Sequence, residues 1–573
     1  MQRNPARLAR GGYDVVVVGG GIHGACVAWQ AALAGLTVAL IDAGDFGNAT
    51  SGNSLRTLHG GLRHLQRLDF PRMRESVRAR REWLRLAPHL ARPLRFVLPT
   101  FGHGTRGPEA MRAALCISDL VSLDRNRGLS ADTHLPGSSV WSGQLARAVL
   151  SGTRTPGCNG AATWFDAVCL DTERLLLAVV GAAVRGGARV ANYMRATGLT
   201  VRDGAVCAVR ARDELTGQEF EIRTRCVVDA AGACVGEWAG QRGRSGSSVL
   251  EPVEPLFRAS LGFNLLTRPL PFKEGVGLSV PRHNESGSGP QTYFILPWNG
   301  RALIGTRHLR CAHSERSAAV SRAQVMDFLE DLNGVLGRHR IAGADVVGVY
   351  SGLLPEKSGN TGADVELERA PRIIEHGVGG IQGVISVVGV KWTTSPPVAK
   401  QAVLAVRRYL HLSGRLRGNS PRLWNAGSSA ESAARRRWHL DADSLAHLEA
   451  TYGPERNCIF SLLDEDESLA ARVIADSPVI KAQIVHAARR EMAAQLADIV
   501  MRRTQLYLSE TLDGPALRGC ANVAARELRW GESEICAQIM QVESLLQRFR
   551  GPLFCAPPLT AVPGPLPQQA SLS

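Results

Sequence analysis

Short apolar runs alternate with a stretch of small residues at the start of the chain. Val15–Val18 is an unbroken β-branched run, which predicts a strand buried on both faces of a parallel sheet. The small, apolar stretch 25–34 predicts a helix packed against that sheet, and the apolar run 37–41 predicts a second strand. The pattern therefore indicates a strand-helix-strand unit.

The pattern changes several times further along the chain. Short alternating runs at 188–222 and 250–310 predict antiparallel strands, and dipeptides such as Asp203-Gly204 mark their turns. Residues 93–165 are interpreted as irregular connections, whereas 434–550 has helical periodicity with few strand signals. Further helices are predicted over 72–86, 109–123, 141–150, 171–185 (with Asp171 as N-cap), 321–336 and 396–411.

Three glycines stand between the first strand and the helix, with the spacing Gly19-x-Gly21-x-x-Gly24. Such glycines permit a tight turn, a close approach of the backbone to a pyrophosphate, and close packing of the helix on the strand. Asp42 ends the second strand, where an acid binds a ribose hydroxyl. The unit predicts a dinucleotide-binding site, and the alternative is a turn with a purely structural role. The motif alone does not show whether the dinucleotide is FAD or NAD.

The next segment is polar and rich in small residues. Thr50, Ser51 and Arg56 offer two hydroxyls and a guanidinium to a polyanion. The stretch His59-Gly60-Gly61-Leu62-Arg63 follows, and its paired glycines allow a flat ring to approach the backbone. The alternative for this stretch is a loop that leads into the arginine-rich helix.

These motifs, in this order, resemble those of FAD-dependent glycerol-3-phosphate dehydrogenases, which belong to the wider D-amino-acid-oxidase-like class of flavoproteins. The resemblance covers about residues 13–550. It implies an α/β fold with a Rossmann-like FAD-binding domain, an antiparallel-sheet substrate domain and a C-terminal all-helical cap domain. The expected boundaries are 13–92, 150–245 and 345–411 for the FAD-binding domain, 93–149 and 246–344 for the substrate domain, 412–433 for a linker, 434–550 for the helical domain, and 551–573 for a disordered tail.

The resemblance also implies FAD as cofactor and a set of site residues, with no metal. The cofactor-binding residues are expected to be Gly19, Gly21, Gly24, Asp42, Thr50, Ser51, Arg56, Gly60, Gly61, Leu62, Ala231, Gly232, Lys391 and Thr393. Alcohol oxidation by a flavin needs a base for the hydroxyl proton and cations for an anionic substrate. The candidate bases are His59, His308 and His64, and the candidate cations are Arg63, Arg307 and Lys391.

The chain departs from the family around the expected substrate pocket. Leu354 stands where the family has an arginine, His64 where it has a tyrosine, and Asn264 near the place of a histidine. Arg307-His308 replaces a Thr-Asp pair, so Arg307 is expected to supply the missing charge. The expected reaction is oxidation of glycerol 3-phosphate or a related phosphorylated polyol. The alternatives are an oxidase of an amino or hydroxy acid, and a FAD-bound protein without catalysis.

Composition adds expectations about partners. The net charge of +15 comes largely from arginine, which indicates either genome composition or an acidic partner such as an anionic substrate or lipid. Nucleic acid is not expected, because no basic stretch carries interleaved aromatic residues. Family members pass electrons to a membrane quinone, so the resemblance implies peripheral membrane contact and either a quinone or another electron acceptor.

The remaining composition points to a cytoplasmic protein. No apolar run reaches the roughly 18 residues of a spanning helix, and residues 1–12 lack the apolar core of a signal peptide. The 12 cysteines are scattered without a Cys-x-x-Cys pair, which indicates free thiols in a reducing compartment and no zinc site. Electron acceptor and oligomeric state are left open.

Overall fold

The structure is a computed structural model that describes residues 1–236, 256–281, 290–311, 318–357, 365–376, 381–413, 423 and 437–551. The expected linker at 412–433 and the expected tail at 551–573 lie almost wholly outside these residues. Within the described ranges, no helix combines the length and hydropathy that a bilayer crossing requires.

The strands of the described residues fall into three sheets. In chain order they are β1 Gly12–Tyr13, β2 Val15–Val18, β3 Val38–Ile41, β4 Thr57–Leu58, β5 Ala91–Phe101, β6 Ser139–Ser142, β7 Cys158–Cys169, β8 Arg189–Ala191, β9 Met194–Arg202, β10 Ala205–Asp213, β11 Glu219–Thr224, β12 Val227–Asp229, β13 Ala259–Thr267, β14 Gly275–Val280, β15 Gln291–Trp298, β16 Arg301–Arg310, β17 Val346–Pro355, β18 Arg372–Glu375 and β19 Val384–Val388.

The α-helices of the described residues are α1 Pro5–Ala9, α2 Ile22–Leu33, α3 Phe70–Leu86, α4 Pro108–Val121, α5 Gly143–Val149, α6 Thr172–Arg185, α7 Arg322–Leu336, α8 Ser395–Tyr409, α9 Ala442–Tyr452, α10 Arg456–Glu465, α11 Lys481–Arg490, α12 Gly514–Leu528 and α13 Glu532–Arg550. A π-helical turn, Asp498–Arg503, lies between α11 and α12. The predicted N-cap of α6 is confirmed, since the Asp171 carboxylate accepts a hydrogen bond from the Arg174 amide at 2.7 Å.

A six-stranded, mostly parallel sheet has the order β18-β19-β12-β2-β3-β8. Val15 and Val17 of β2 face a layer formed by α2, α6 and α8, whereas Val16 and Val18 face the antiparallel strands β9, β10 and β11. Successive strand residues point to opposite faces, so an unbroken apolar run fits a sheet covered on both sides. The predicted strand-helix-strand unit and its two-sided burial are confirmed.

A nine-stranded sheet contains β4 to β7 and β13 to β17. Its longest ladder pairs β5 with β7 in antiparallel register, so the interpretation of 93–165 as irregular connections was wrong for these strands. The short helices predicted at 109–123 and 141–150 are confirmed as α4 and α5. Prolines 93 and 99 and Arg95 conceal the alternation of β5, and the Arg95 guanidinium stacks on Trp141 and Phe165. Strands β7 and β17 thus lie in this sheet, although the expected boundaries gave their residues to the FAD-binding domain.

The region 437–551 is helical, as predicted, and it packs against both other parts of the protein. Its residues Tyr507 and Phe549 contact Tyr350 on β17, and the Tyr350 and Tyr507 hydroxyls lie 2.7 Å apart. On the other side, Arg174 of α6 pairs with Glu491 after α11. The C-terminal helices therefore rest on the outer strand of the large sheet and on a helix of the parallel-sheet layer.

Candidate active site

A cavity of about 3260 Å³ opens where β2, β3 and β12 end at their carboxyl ends. Ligands of open α/β sheets bind at this edge. The cavity wall brings together most of the predicted site residues from six separate stretches of chain. Three predicted residues, Gly24, Gly60 and Arg307, do not line it.

Two glycines of the turn allow close packing of the backbone, and the third leaves room for a ligand. Gly19 has φ +103°, and a Cβ there would lie 2.5 Å from the Ala230 carbonyl oxygen. A Cβ at Gly24 would lie 1.8 Å from the Gly19 carbonyl oxygen, which fixes α2 tightly on β2. A Cβ at Gly21 would meet only the Ser51 hydroxyl at 3.1 Å, so this position is open to the cavity. The positive end of α2 is therefore accessible to a pyrophosphate.

Asp42 lines the cavity with its carboxylate held by backbone amides. Gly20 donates to Oδ2 at 2.5 Å and Gly44 donates to Oδ1 at 2.8 Å. Burial raises the pKa of Asp42 to about 6. The segment 195–197 of β9 also lines the cavity and places the Arg195 charge near this carboxylate. Sequence reasoning missed that segment, because only the packing of the two sheets brings it to the cavity.

The loop after Asp42 is fixed mainly by protein partners. The Thr50 hydroxyl bonds the backbone of Leu353, donating to its carbonyl at 3.0 Å and accepting from its amide at 3.1 Å. The Ser51 hydroxyl accepts from the Ile22 amide at 3.0 Å. Both residues still line the cavity, and together they tie the loop to β17 and to the first turn of α2.

Arg56 has different partners from those expected. Its guanidinium is fully buried in a two-pronged pair with Glu173, at 2.7 and 2.9 Å, and it lies 4.4 Å from the centre of the Trp298 ring. A buried guanidinium needs such a partner, because an unpaired buried charge is strongly destabilising. We therefore correct the expectation that this guanidinium is offered to a polyanion: it anchors the loop.

The His59 ring lies on the cavity wall, with about half of its side chain (48%) exposed there. Its amide donates to the Thr393 hydroxyl at 3.1 Å, and its Nδ1 lies 4.0 Å from a carboxylate oxygen of Asp166. Desolvation lowers the pKa of His59, whereas Asp166 acts in the opposite direction. His59 is therefore a neutral imidazole that faces the cavity, with a carboxylate behind it.

Asp166 also fixes the glycine pair. It accepts from the Gly60 amide at 2.5 Å and from Trp164 Nε1 at 3.1 Å, and it pairs with Arg80. A Cβ at Gly60 would lie 2.3 Å from the Arg80 guanidinium, whereas Gly61 adopts φ +81° and, with Leu62, lines the cavity. Asp166 lies on β7, where no strand was predicted, and so the sequence did not single it out.

Lys391 and His64 form a direct pair on the cavity wall. The Lys391 ammonium lies 2.8 Å from His64 Nε2, which accepts its hydrogen bond. Burial, with Lys391, lowers the pKa of His64 to about 4, and burial, with Arg63, lowers the pKa of Lys391. Because its Nε2 is occupied, His64 is a poor candidate for the base.

Arg307 and His308 point to opposite faces of β16, as successive strand residues do. His308 lines the cavity, and burial lowers its pKa to about 4. Arg307 pairs with Asp331 of α7 and lies over the Phe328 ring. The expectation that Arg307 supplies a cation to the substrate is corrected, because the sequence alone did not say which face of this strand meets the cavity.

The other two departures, Asn264 and Leu354, place uncharged side chains on the wall. The Asn264 side chain donates to the Asn53 carbonyl at 3.2 Å and accepts from the Thr306 hydroxyl at 2.7 Å. Leu354 contributes an apolar wall against Gly262.

Arg63 is an exposed residue of the cavity wall, and its charge lowers the pKa values of His59, His308 and Lys391. It therefore shares the cavity wall with the predicted catalytic groups and acts on them electrostatically. Ala231 and Gly232 line the cavity beside the glycine turn, at the end of β12.

Comparison with known proteins agrees with this geometry. The family model "FAD dependent oxidoreductase" matches residues 14–404, and "C-terminal domain of alpha-glycerophosphate oxidase" matches 409–535. The chain is similar to a glycerol-3-phosphate dehydrogenase of Synechocystis sp., with 30% identity over 96% of this chain and 100% of that protein. It is 25% identical to the human mitochondrial glycerol-3-phosphate dehydrogenase, over 91% of this chain and 71% of that protein.

Among solved structures, the fold is similar to that of a glycerol-3-phosphate dehydrogenase from Bacillus halodurans complexed with FAD. The TM-score is 0.73 at 21% identity, with 96% of this chain and 97% of that chain covered. The open Gly21 position, the accessible end of α2 and the Asp42 carboxylate fit the pyrophosphate and ribose of FAD.

The glycine turn gives a paired prediction. Gly21→Val should fold but purify without flavin, because the new side chain projects into the open cavity. Gly24→Ala should lower the thermal unfolding midpoint, because its methyl group would collide with the Gly19 carbonyl. The ratio of flavin to protein absorbance and the unfolding midpoint of each variant check both. Full flavin occupancy in a folded Gly21→Val protein would contradict this placement of the cofactor.

Proposed function

The chain belongs to the FAD-dependent oxidoreductase family, and from this premise we propose that it oxidises glycerol 3-phosphate to dihydroxyacetone phosphate with FAD as cofactor. The observation that carries the proposal is the meeting of His59, Arg63 and Lys391 on the wall of the cavity that opens at the glycine turn. These groups provide a base and cations, which oxidation of an anionic alcohol requires. When bound, FAD supplies the acceptor for the hydride.

His59 is the proposed base for the substrate hydroxyl. It faces the cavity, and its lowered pKa leaves the imidazole unprotonated near neutral pH. Burial lowers the pKa of His308 to about 4, and His64 is engaged by Lys391. Asp166 supports this role because its negative charge stabilises the imidazolium that forms when His59 takes the proton.

Arg63 is the proposed ligand of the phosphate group. It lies amid the candidate catalytic groups, whereas Arg307 is turned towards Asp331 and Leu354 offers no donor. A guanidinium binds phosphate through two parallel hydrogen bonds. Lys391, held by His64, adds a second positive charge to the same wall.

A hydroxy acid is a second candidate substrate, favoured by the apolar Leu354 wall. A carboxylate is satisfied by one two-pronged guanidinium, and so Arg63 alone would suffice for it. Anaerobic titration of the yellow protein with glycerol 3-phosphate, glycerol and a hydroxy-acid panel separates the candidates. Bleaching of the flavin by glycerol 3-phosphate and not by glycerol supports the proposal, and bleaching by hydroxy acids alone contradicts it.

Two arginine variants test the phosphate ligand. Arg63→Ala should raise the apparent constant for glycerol 3-phosphate about ten- to a hundredfold, since a charge-assisted contact is lost. Arg307→Ala is the matched control and should leave this constant near that of the parent protein, because its side chain faces away from the cavity. Steady-state kinetics, with flavin content measured for each variant, give the comparison. Equal effects of the two substitutions would argue against Arg63 as the ligand.

The role of Asp166 has a signature in the pH profile. Asp166 raises the pKa of His59, so Asp166→Asn should lower that pKa. Activity requires the unprotonated imidazole, and therefore the acid limb of kcat/KM should move to lower pH. Asp69→Asn is the control, since Asp69 raises the pKa of His64 instead. An unmoved acid limb in a flavin-loaded Asp166→Asn protein would mean that His59 is not the base.

We also propose that the protein contacts an anionic membrane peripherally and that a quinone accepts its electrons. Helix α4 exposes Ile117 and Leu120, and the exposed Leu123 follows this helix. Leu68 and Phe70, which are also exposed, lie at the start of the neighbouring helix α3. Exposed apolar side chains beside basic ones suit insertion at a charged lipid surface.

Flotation with anionic vesicles tests the membrane proposal. The protein should float at low salt and less so at high salt, because exposed charges are screened over about 8 Å at physiological ionic strength. The double variant Leu120→Asp/Leu123→Asp should lose binding, whereas Met540→Asp, at another exposed apolar position, should keep it. Equal flotation of both variants would remove α4 from the contact.

A further inference from the structure

The Asp45 carboxylate is fully buried and joins two distant parts of the chain. The Arg503 guanidinium donates one hydrogen bond to each of its two oxygens, at 2.6 and 2.8 Å. Arg502 donates to it from Nε at 2.6 Å, and Asn192 donates from its amide nitrogen at 2.9 Å. Asp45 lies in the 42–45 loop, which begins at Asp42 directly after β3. Both arginines lie in the π-helical turn Asp498–Arg503 of the C-terminal domain.

A second connection runs beside the first and reaches the same loop. The Tyr193 hydroxyl donates to Asp498 at 2.6 Å, and the Tyr193 amide donates to the Gly44 carbonyl at 2.9 Å. The next amide, that of Met194, donates to the Asp42 carbonyl at 2.6 Å. Through Tyr193, the C-terminal domain is thus connected to the backbone segment that carries Asp42 and Gly44.

The charges of this cluster balance within the buried region. Two carboxylates, Asp45 and Asp498, face two guanidiniums, Arg502 and Arg503. Although burial opposes it, Arg503 and Arg502 hold the pKa of Asp45 well below its usual range. Loss of one partner would leave a buried charge uncompensated, so the loop has one strongly preferred position.

We propose that the C-terminal helical domain is a structural part of the FAD site, with Arg503 as the positioning residue. Through Asp45 it holds the 42–45 loop so that the Asp42 carboxylate stays oriented towards the ribose. Gly44 connects the two, since its amide donates to Asp42 and its carbonyl accepts from Tyr193. The proposal requires FAD binding only, and it is independent of which substrate the protein oxidises.

The experiment measures FAD affinity in the full chain without substrate. The double variant Asp45→Asn/Arg503→Met removes both charges of the pair, which avoids an uncompensated buried ion. Its FAD dissociation constant, followed by flavin fluorescence, should rise about tenfold or more, as for loss of a charge-assisted contact. Amide hydrogen exchange in the 42–56 segment of the FAD-loaded protein should also become faster.

The matched control is Arg185→Met/Glu455→Gln, an ion pair at 3.1 Å between α6 and the same domain that lies outside the Asp45 cluster. Its FAD affinity should stay near that of the parent. Arg503→Lys keeps the charge but loses the two-pronged geometry, so it should fold and weaken FAD binding to an intermediate extent. Unchanged FAD affinity in folded Arg503→Lys, or equal loss of affinity in the two double variants, would overturn the proposal.

Discussion

The pairing of buried charges holds the walls of the cavity together. Asp45 lies near the start of the loop between β3 and β4 and pairs with Arg503 of the C-terminal domain. Arg56 lies at the other end of this loop and pairs with Glu173 of α6. The glycine pair beyond it is fixed by Asp166, itself paired with Arg80 of α3. Breaking such a pair typically costs about 3–5 kcal/mol, so each wall segment has little freedom to move. A cofactor site lined by long polar loops needs such constraints, because loops have few apolar contacts of their own.

This pairing also changes the meaning of the arginine excess. The basic composition suggested either an acidic partner or a genome bias. However, Arg56, Arg174 and Arg503 are buried, and each forms an ion pair with a carboxylate inside the protein. The five donors of a guanidinium form a rigid planar fork that can bind both oxygens of one carboxylate and further acceptors, whereas a lysine ammonium has three donors and no such fork. Lysine is rare here, and Lys391 occupies a place where a single point charge, held by one imidazole, faces the cavity.

The sequence predicted the parts of the fold that local pattern determines. The apolar run of β2, the glycine spacing and the amphipathic helices needed no knowledge of distant residues. Strand β5 was missed because two prolines and an arginine interrupt its alternation, and the arginine is accommodated by stacking on aromatic rings from β6 and β7. Asp45 and Asp166 were not singled out, and Arg307 was given the wrong face, because their partners lie on elements that only the tertiary fold brings together.

The partners Asp45 and Arg503 are separated by 458 positions in the chain. During synthesis the nucleotide-binding segment leaves the ribosome first, and domains generally fold in that order. Its loop then carries a buried-site carboxylate without its guanidinium partner until the segment that contains Arg503 has been made. With the proposed role of Arg503, the cofactor site is completed only after that segment, and chains truncated before Arg503 are expected to have an incomplete nucleotide pocket.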